Sequence, residues 1–351
     1  MWFSSDNAGP AHPKVMAALA AANEGYAGSY GADTQMQAVR GLIREVFEAP
    51  EAEVFLVATG TAANVLGLAT LCPPWATIYA HTHAHIEEDE CAAPEFYTGG
   101  AKLTLLPGAD AKIDLDALRD ALDGTPDGFV HHVQHGALSL TNVTERGAVY
   151  TAGEIAERAA LARAHGIPVH LDGARFANAL VATNASPAEM TWRAGVDVLS
   201  LGGTKNGLMA AEAVVLFDPA RAWEFELRRK RGAHLFSKHR FLSAQMLAYL
   251  QDGLWLDLAR AANQSATALA EGLADLPGAR MLHPVEANMI FADLPRRTHD
   301  ALHAAGAHYY FWTKDPPPDA LPDATFAARF VTNWATEPED VDAFLSAARA
   351  A

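Results

Sequence analysis

Short apolar runs and amphipathic stretches of helical length alternate along residues 53 to 218. Such alternation is typical of a parallel sheet whose strands are joined by crossover helices. The pattern predicts seven strands, at residues 53–59, 76–81, 101–108, 128–134, 167–174, 196–203 and 212–218. Between two of these strands, residues 151–166 should form a helix, with Thr151 as its N-cap, Glu154 completing a capping box and Gly166 at its end.

The pattern changes after residue 240. Residues 240–276 have apolar positions at helical spacing and predict one long or kinked helix, and shorter strand and helix patterns follow it. A chain of 351 residues also exceeds the roughly 250 to 300 residues at which a single core stops growing. We therefore predict an α/β protein in two domains. Residues 1–240 would form a large domain with a mostly parallel seven-stranded sheet, and residues 241–351 the linking helix and a smaller α+β domain.

The composition indicates which kinds of molecule the protein is expected to bind. The 42 acidic and 26 basic residues give a net charge of -16, which disfavours nucleic acid as a partner. No stretch approaches the roughly 18 uninterrupted apolar residues of a membrane span, and the first ten residues lack the pattern of a secretory signal. Two cysteines in so long a chain provide no disulfide framework and favour a reducing compartment. We expect a cytoplasmic protein that acts on small molecules, without a membrane partner.

Polar and ionisable residues stand at the ends of three predicted strands. The segment "HLDGAR" supplies Asp172 and Arg175, and the segment "SLGGTK" supplies Thr204 and Lys205. The first strand leads into the turn "TGTAAN", residues 59–64. Because the C-terminal ends of parallel strands converge on one crevice, we expect these residues to share a site.

These residue types match the chemical needs of pyridoxal phosphate. A lysine partly desolvated at a strand end can attack carbonyl groups as a free amine, which permits Schiff-base chemistry. An aspartate can hold a protonated pyridine nitrogen, and a turn that opens a helix can bind a phosphate. The turn has neither the GK[ST] ending of a Walker loop nor the spacing GxGxxG, so nucleoside triphosphates and NAD are disfavoured.

Each element also has a plainer interpretation. Lys205 alone could be a solvated lysine, and "LDGAR" could be a capped turn with a structural ion pair. The turn "GTAAN" could be only a helix start, with Thr61 as its cap. What favours the cofactor site is their joint occurrence, with the lysine about 33 residues after the aspartate and the turn upstream of both.

Longer motifs extend this interpretation over nearly the whole chain. They include "SSDNAGP", "YGADTQ", "HAHIEEDECAAPEF", "HLDGARFANAL", "GVDVLSLGGTKNG" and "RFVTNW". With them the chain resembles the low-specificity L-threonine aldolases, which are pyridoxal phosphate enzymes of the aspartate-aminotransferase-like fold type I. The resemblance implies that fold, pyridoxal 5'-phosphate as the cofactor, and a homodimer or homotetramer whose subunits share active sites.

The resemblance also implies roles for individual residues. The implied catalytic residues are Lys205, which bonds to the cofactor, Asp172, which holds the pyridine nitrogen, and His85, which stacks on the cofactor ring. The implied cofactor contacts as a whole are Gly60, Thr61, His85, Asp172, Arg175, Thr204 and Lys205. His81 and His83 lie close to His85 in sequence and leave a metal site as an alternative, although no cysteine ligands accompany them.

For an amino-acid substrate, the carboxylate requires a bidentate arginine. The resemblance points to Arg329 in "RFVTNW" for this role. It implies Ser5, Tyr30 and Arg175 as further substrate contacts, with Tyr30 reaching either its own crevice or that of a partner subunit.

The basic segment 228–231 has two interpretations. The resemblance implies that it supplies a basic group to a phosphate across a subunit interface, from either Arg229 or Arg231. Four basic residues in a row are also typical of a solvated helix face, and the two interpretations stay open.

The reaction of this family removes a proton from the β-hydroxyl group of the substrate, and the sequence does not identify the residue that accepts it. Many members of the family carry a histidine in a motif such as "ENTH", and the matching stretch here, "LTNVTERG", places Thr144 at that position. His135 is near in sequence but has no assigned place in the site. The proton could go to His85 or to an ordered water.

The implied reaction cleaves L-threonine or L-allo-threonine to glycine and an aldehyde, and extends to phenylserine-like L-β-hydroxy-α-amino acids. The chain is therefore expected to be a carbon-carbon lyase. Alternatives on the same scaffold are β-elimination, transamination and serine hydroxymethyl transfer. A non-enzymatic pyridoxal phosphate-binding regulator is disfavoured, because no DNA-binding extension or basic patch accompanies the domain.

Overall fold

The computed structural model describes residues 1–312 and 314–351. Within them, seven strands form the larger sheet, in the order β1-β7-β6-β5-β4-β2-β3. The strands are β1 Glu53–Val57, β2 Ala76–His81, β3 Lys102–Leu106, β4 Gln134–Thr141, β5 Val169–Gly173, β6 Val198–Leu201 and β7 Glu212–Leu216. Strands β2 to β6 pair in parallel, whereas β7 lies antiparallel between β6 and β1. The C-terminal ends of β1, β5 and β6 therefore meet at one edge, and the predicted mostly parallel seven-stranded sheet is confirmed.

One predicted strand, at residues 128–134, is wrong. Its last residue, Gln134, begins β4, and residues 128–133 form turns. The Gln134 side chain accepts a hydrogen bond from the N–H of Gly128 and donates to two carbonyls inside the same segment. These bonds satisfy the backbone locally, and Gly128 has a φ of 70° that favours glycine. The strand itself has the sequence "QHGALSLT", whose small and polar residues concealed it.

Nine α-helices lie among the strands of this sheet between residues 13 and 231. They are α1 Pro13–Ala22, α2 Thr34–Val46, α3 Gly60–Leu71, α4 His85–Glu88, α5 Ala93–Thr98, α6 Leu115–Asp123, α7 Ala152–Ala164, α8 Phe176–Thr183 and α9 Ala222–Arg231. The predicted capping box of α7 is confirmed, because Thr151 and Glu154 each accept a hydrogen bond from the other's backbone N–H. Helix α3 is apolar on every side and is buried from Ala62 to Leu71, as expected for a helix inside a core.

The helical region after residue 240 is kinked, which is the second of the two predicted forms. Helix α10 Arg240–Leu250 is followed by a turn and then by α11 Leu254–Ala274. The turn has two residues with left-handed backbone, Asp252 and Gly253. The first part of α11 packs in the core of the larger sheet, and its second part packs in the core of the smaller one. The helix therefore joins the two cores.

The smaller sheet is antiparallel, in the order β10-β11-β9-β8. Its strands and helices are β8 Arg280–Met281, β9 Met289–Pro295, α12 Arg296–Ala304, β10 Tyr310–Phe311, β11 Thr325–Val331 and α13 Pro338–Arg349. Phe3, near the start of the chain, is fully buried in the core of this sheet. Its N–H donates to the His308 carbonyl, and its carbonyl accepts the Val331 N–H. The division at residue 240 stays a prediction, with Phe3 belonging to the smaller core.

Across the described ranges 1–312 and 314–351, none of the helices has both the length and the apolar character that crossing a membrane requires.

Candidate active site

A cavity lies at the edge where β1, β5 and β6 end. It is lined by Asn7, Ala58, Thr59, Gly60, Thr61, Ala63, Asn64, His85, Asp172, Ala174, Ser200, Leu201, Gly202, Thr204, Lys205 and Glu212. The structure thus brings together residues that are far apart in sequence. Among those predicted for the site, the ones that line the cavity are Gly60, Thr61, His85, Asp172, Thr204 and Lys205.

Lys205 follows β6 in a short 3-10 turn, Thr204–Asn206. The turn is held from behind by Asn206, whose amide donates to the Tyr249 hydroxyl and the Trp255 carbonyl at 2.8 Å each. These bonds connect the turn to α10 and α11, so the lysine stands on a fixed support. A strand that ends in a lysine places the amine at the cavity edge of the sheet.

Burial of the Lys205 side chain penalises its charged form. Burial and the positive charge of Arg175 lower the pKa of the Lys205 ammonium, and the carboxylates of Asp6, Asp172 and Glu212 offset this effect only in part. The neutral amine is the form that attacks carbonyl groups. The surroundings of Lys205 therefore make its free amine more available than that of a solvent-exposed lysine.

Glu212 is a buried carboxylate beside this turn. It accepts hydrogen bonds from the N–H groups of Gly203 at 2.5 Å and Thr204 at 3.5 Å. Burial raises its pKa, although the hydrogen bonds from Thr204 and Gly203 oppose that rise. Glu212 was missed from the sequence, because it begins an otherwise ordinary apolar strand, "EAVVL".

Asp172 is the buried carboxylate near the end of β5. Its Oδ1 accepts the Ala174 N–H at 3.0 Å, and its Oδ2 accepts the side-chain amide of Asn64 at 2.8 Å. Both oxygens are therefore anchored, and the orientation of the carboxylate is set by its neighbours. A buried carboxylate of fixed orientation can hold a protonated ring nitrogen.

His85 begins α4, and its imidazole lines the same cavity. Its Nδ1 lies 2.8 Å from Oε1 of Glu90, whose side chain is 0% exposed. Burial opposes the charged imidazolium, but the hydrogen bond to Glu90 and the charge of Asp172 outweigh burial and raise the pKa of His85. Glu90 was not identified from the sequence, because it lies in the acidic run "EEDE", which is typical of a solvated surface.

A second buried carboxyl group, Glu145, contacts the backbone of His85. Its Oε1 accepts the His85 N–H at 2.7 Å, and its Oε2 is buried without a hydrogen-bond partner among the residues described. Burial and the negative charge of Asp172 raise the pKa of Glu145 to about 7. The preceding residue, Thr144, is fully buried, and its hydroxyl donates to the Asp110 carbonyl at 2.8 Å. Glu145, rather than Thr144, is the residue of this loop that contacts the site.

The other histidines lie outside the cavity. His81 Nε2 is 3.1 Å from the Gly108 carbonyl, and His83 Nδ1 is 2.7 Å from Glu88 Oε1. Each therefore has its own partner, and the placement does not support the alternative of a metal site formed by the three histidines. His135 stands near the start of β4, at the opposite edge of the sheet, where its Nδ1 lies 2.9 Å from the Tyr79 hydroxyl.

Arg175 forms a bidentate ion pair with Asp6. Its Nε and Nη2 donate to the two carboxylate oxygens at 2.6 and 2.9 Å, and Asn288 donates to Oδ2 of Asp6 at 3.1 Å. Burial would raise the pKa of Asp6, but the charges of Arg175 and Lys205 and the two side-chain hydrogen bonds lower it. Asp6 was missed from the sequence, although it belongs to the motif "SSDNAGP".

Arg329 comes from β11 of the smaller sheet. Its guanidinium lies 5.7 Å from the ring centroid of Tyr310 and 5.5 Å from that of Trp312. Its Nη2 donates to the Ser4 carbonyl at 3.4 Å, and its Nε is buried without a partner among residues 1–312 and 314–351. Burial and the charge of Arg175 lower its pKa. An arginine with an unpaired buried N–H can bind an incoming anion.

None of the four predicted substrate contacts, Ser5, Tyr30, Arg175 and Arg329, is among the residues that line the cavity. Ser5 Oγ accepts the Asn7 N–H at 3.1 Å, and it is Asn7 that lines the cavity. Tyr30 is 51% exposed, and the Lys230 ammonium lies 5.5 Å from its ring centroid. A role for Tyr30 in a partner subunit stays a prediction.

The basic segment on α9 has one buried member. Arg229 is 1% exposed, donates to the Leu56 carbonyl and pairs with Glu226 at 2.9 Å. Arg231 is exposed. Arg229 is therefore bound within its own chain, and Arg231 is the one of the two that is accessible to another molecule.

The donor set fits pyridoxal phosphate. The first N–H groups of a helix lack intrahelical partners and attract anions, and α3 presents this end, at Gly60 and Thr61, to the cavity. Asp172 offers a carboxylate to a ring nitrogen, and Lys205 offers an amine to an aldehyde. A phosphate, a pyridine nitrogen and an aldehyde thus each have a complement on one cavity wall.

Comparison with known proteins gives a consistent result. The family model described as beta-eliminating lyase matches residues 3–313. The low-specificity L-threonine aldolase of Pseudomonas aeruginosa is 39% identical over 97% of this chain and 94% of its own. An enzyme of the same description from a Pseudomonas species is 37% identical over 95% of this chain and 93% of its own.

A solved structure is similar along its full length. The threonine aldolase of Leishmania major matches with a TM-score of 0.91 and 27% identity, over 99% of this chain and 98% of its own. The similarity therefore spans both sheets.

Proposed function

The chain belongs to the beta-eliminating lyase family and, within it, to the low-specificity L-threonine aldolases, and we propose on this basis that it cleaves L-threonine and L-allo-threonine to glycine and acetaldehyde. Phenylserine-like L-β-hydroxy-α-amino acids are proposed as further substrates. The enzyme is a carbon-carbon lyase. The observation that carries the proposal is the meeting of Lys205, Asp172 and the N-terminus of α3 in one cavity.

Enzymes of this family work with pyridoxal phosphate. In this chain Lys205 would hold the aldehyde carbon of the cofactor and Asp172 its pyridine nitrogen. Its phosphate would lie on Gly60, Thr61 and Thr204, which line the cavity together. When bound, the cofactor accepts the electron pair that the broken Cα–Cβ bond leaves behind.

Arg329 is proposed to bind the substrate carboxylate. Its Nε has no partner among the described residues, whereas two donors of Arg175 are already occupied by Asp6. A guanidinium binds a carboxylate in fixed geometry through two parallel hydrogen bonds. Holding the carboxylate there would orient the Cα–Cβ bond for cleavage.

The proton of the β-hydroxyl group needs an acceptor within reach of the cavity. His85 lines it, whereas Thr144 is bonded to a backbone carbonyl and His135 stands at the opposite edge of the sheet. The proposal assigns this proton to His85 or to a water held beside it.

Product analysis of the purified protein tests the reaction. We expect aldehyde and glycine from threonine, allo-threonine and phenylserine after addition of pyridoxal phosphate. Pyruvate with ammonia would instead identify β-elimination, and strict dependence on tetrahydrofolate would identify hydroxymethyl transfer. Either result would overturn the aldolase proposal.

Lys205→Ala tests the assignment of the nucleophile, with a fall in kcat of about 10³-fold or more expected. Lys112→Ala is the matched control, because Lys112 pairs with Glu154 at 2.9 Å outside the cavity. The control should keep the activity of the unmodified protein. Full activity in Lys205→Ala would show that the central assignment is wrong.

A homodimer or homotetramer with shared sites is proposed as the assembly, in the cytoplasm. What supports it is the exposure of Tyr30 and Met209, at 51% and 55%, in segments near Lys230 and Lys205. Large apolar side chains exposed in a patch are typical of an interface between subunits. Light scattering after size exclusion tests the assembly, and a monomer in solution would contradict it. Fractionation of the source cells tests the location.

A further inference from the structure

One buried carboxylate connects two residues of the proposed cofactor site. Glu90 Oε1 accepts hydrogen bonds from His85 Nδ1 at 2.8 Å and from Asn64 Nδ2 at 2.9 Å. Asn64 Nδ2 also donates to Asp172 Oδ2 at 2.8 Å. The four side chains therefore form one continuous chain of contacts, with His85 at one end and Asp172 at the other.

Burying such a carboxylate is costly unless it gains compensating contacts. The Glu90 side chain is 0% exposed, and its Oε2 has no hydrogen-bond partner within the ranges 1–312 and 314–351. Glu90 does not line the cavity and so would not touch the cofactor or the substrate itself. Its contacts lead instead to two residues that would.

We propose that Glu90 is a positioning residue, whose single buried carboxylate fixes the orientation and charge of His85 and, through Asn64, the orientation of Asp172. The inference rests on the proposed function, because it concerns the same cofactor site. With Glu90 as acceptor, Nδ1 of His85 carries a proton and the rotation of the ring is restricted. The Asn64 amide donates to both carboxylates. It therefore fixes the orientation of the Asp172 carboxylate and lies between the two negative charges of Asp172 and Glu90.

Four charged groups from different elements act on His85. They are Glu90 after α4, Asp172 on β5, Lys205 after β6 and Glu145 after β4. Glu90 is the one in hydrogen-bond contact with the imidazole. Removing the charge of Glu90 should therefore shift the titration of His85 more than removing the charge of a glutamate at the protein surface.

The chain contains a matched control. His83 and Glu88 have the same five-residue spacing as His85 and Glu90, and their atoms are 2.7 Å apart. Their side chains are 43% and 39% exposed, and neither lines the cavity. Glu88→Gln removes one charge from the same acidic run without touching the proposed site.

The experiment compares Glu90→Gln with Glu88→Gln in the full chain loaded with pyridoxal phosphate. Gln has the same size as Glu and its carbonyl can still accept a hydrogen bond, so the fold should persist. Three quantities are measured: the pH midpoint of the visible absorbance of the bound cofactor, the affinity of the apoprotein for pyridoxal phosphate by quenching of tryptophan fluorescence, and kcat and KM for threonine.

For Glu90→Gln we expect the pH midpoint to fall by about one unit, because the variant loses a buried negative charge that favours the protonated form of nearby groups. Cofactor affinity should weaken, and kcat should fall roughly tenfold while KM changes little, because orientation rather than substrate binding is lost. Glu90→Asp keeps the negative charge, and its pH midpoint should lie close to that of the unmodified protein. Glu88→Gln should match the unmodified protein in all three quantities.

The outcomes separate the two proposals. If the unmodified protein binds the cofactor and cleaves threonine but Glu90→Gln behaves like Glu88→Gln, the positioning role is wrong and the proposed function stands. If Glu90→Gln shifts the absorbance midpoint although the unmodified protein releases no aldehyde, the positioning role stands and the reaction is wrong. If the unmodified protein does not bind pyridoxal phosphate, both are wrong.

Discussion

The segment from His83 to Glu90 contains the same ion pair twice. His83 with Glu88 and His85 with Glu90 share the spacing in sequence and nearly the same separation, 2.7 and 2.8 Å. The first pair is exposed to solvent, whereas the second has a carboxylate of 0% exposure that also contacts Asn64. Two pairs with the same chemistry thus lie in different dielectric surroundings.

The difference shows that neither spacing nor distance determines what an ion pair does. An exposed pair contributes about 0 to 1 kcal/mol, because water screens the charges and competes for the hydrogen bonds. In a buried pair, removal of one partner leaves a charge or a polar group without solvation, and the cost rises to about 3 to 5 kcal/mol. The surroundings of each pair, which the acidic run alone does not reveal, decide its energy.

The largest expected effect is on stability, in Glu90→Ala. The change leaves the Nδ1 proton of His85 and one amide hydrogen of Asn64 without their acceptor, and we expect the free energy of unfolding to fall by about 3 kcal/mol. The loss should be greater near pH 6 than near pH 8. A raised histidine pKa stabilises the folded state below the pKa of the unfolded state, and this stabilisation disappears as pH rises through the folded value. Urea unfolding of the apoprotein at both pH values measures it.

Glu88→Ala is the control for that measurement. It should change the free energy of unfolding by no more than about 0.5 kcal/mol at either pH. Equal losses from the two alanine variants would show that burial does not distinguish the pairs.

The next largest effect concerns Glu145, which accepts a hydrogen bond from the backbone N–H of His85 rather than from an imidazole. Its pKa is raised from 4.5 to about 7. Between these values the folded state binds a proton that the unfolded state does not, so this group stabilises the protein below about pH 4.5 and the stabilisation is lost as pH rises towards 7. The side chain in Glu145→Gln cannot titrate. The variant should therefore lack this fall in the free energy of unfolding, which amounts to on the order of 2 kcal/mol between pH 5 and pH 8.

Urea unfolding of Glu145→Gln and of the unmodified protein, repeated at intervals from pH 5 to pH 8, checks this expectation. The two curves should differ in slope up to about pH 7 and run parallel above it. Identical slopes throughout would mean that Glu145 titrates in the folded protein as it does in solvent.

The smallest effect is the dependence of the exposed pair on salt. Any stabilisation that Glu88→Ala removes at low ionic strength should vanish near 1 M salt, where the screening length is about 3 Å. The loss in Glu90→Ala should persist, because buried charges are screened less. Repeating both urea titrations with added sodium chloride measures the contrast, and a loss in Glu90→Ala that disappears with salt would place its carboxylate in solvent.

Much of the fold could be predicted, because the hydrophobic pattern specifies it locally. The capping box at Thr151 and the kink near Asp252 involve residues close in sequence. The strand at residues 128–134 was mispredicted for a related reason. A glutamine side chain that satisfies the backbone of a turn leaves no trace in the pattern of apolar residues.

The site could be predicted in part. Lys205, Asp172 and the turn at Gly60 stand at strand ends, a position with a general meaning in parallel sheets. The supporting carboxylates could not be found in this way. Glu90 lies in an acidic run and Glu212 within an apolar strand, and each becomes part of the site only through contacts between elements distant in sequence.

The contacts of Phe3 and Ser4 affect the order in which parts of the protein can fold. Phe3 and Ser4 are translated before the residues that bond to their carbonyls, because the Val331 N–H and the Arg329 guanidinium lie more than 320 residues later. Domains generally fold as units while the ribosome is still adding residues. The larger sheet can therefore form during translation. Phe3 and Ser4, by contrast, gain these partners only after β11 has been synthesised. The contact between the segment at Phe3 and Ser4 and strand β11 is thus among the last parts of the enzyme to become ordered.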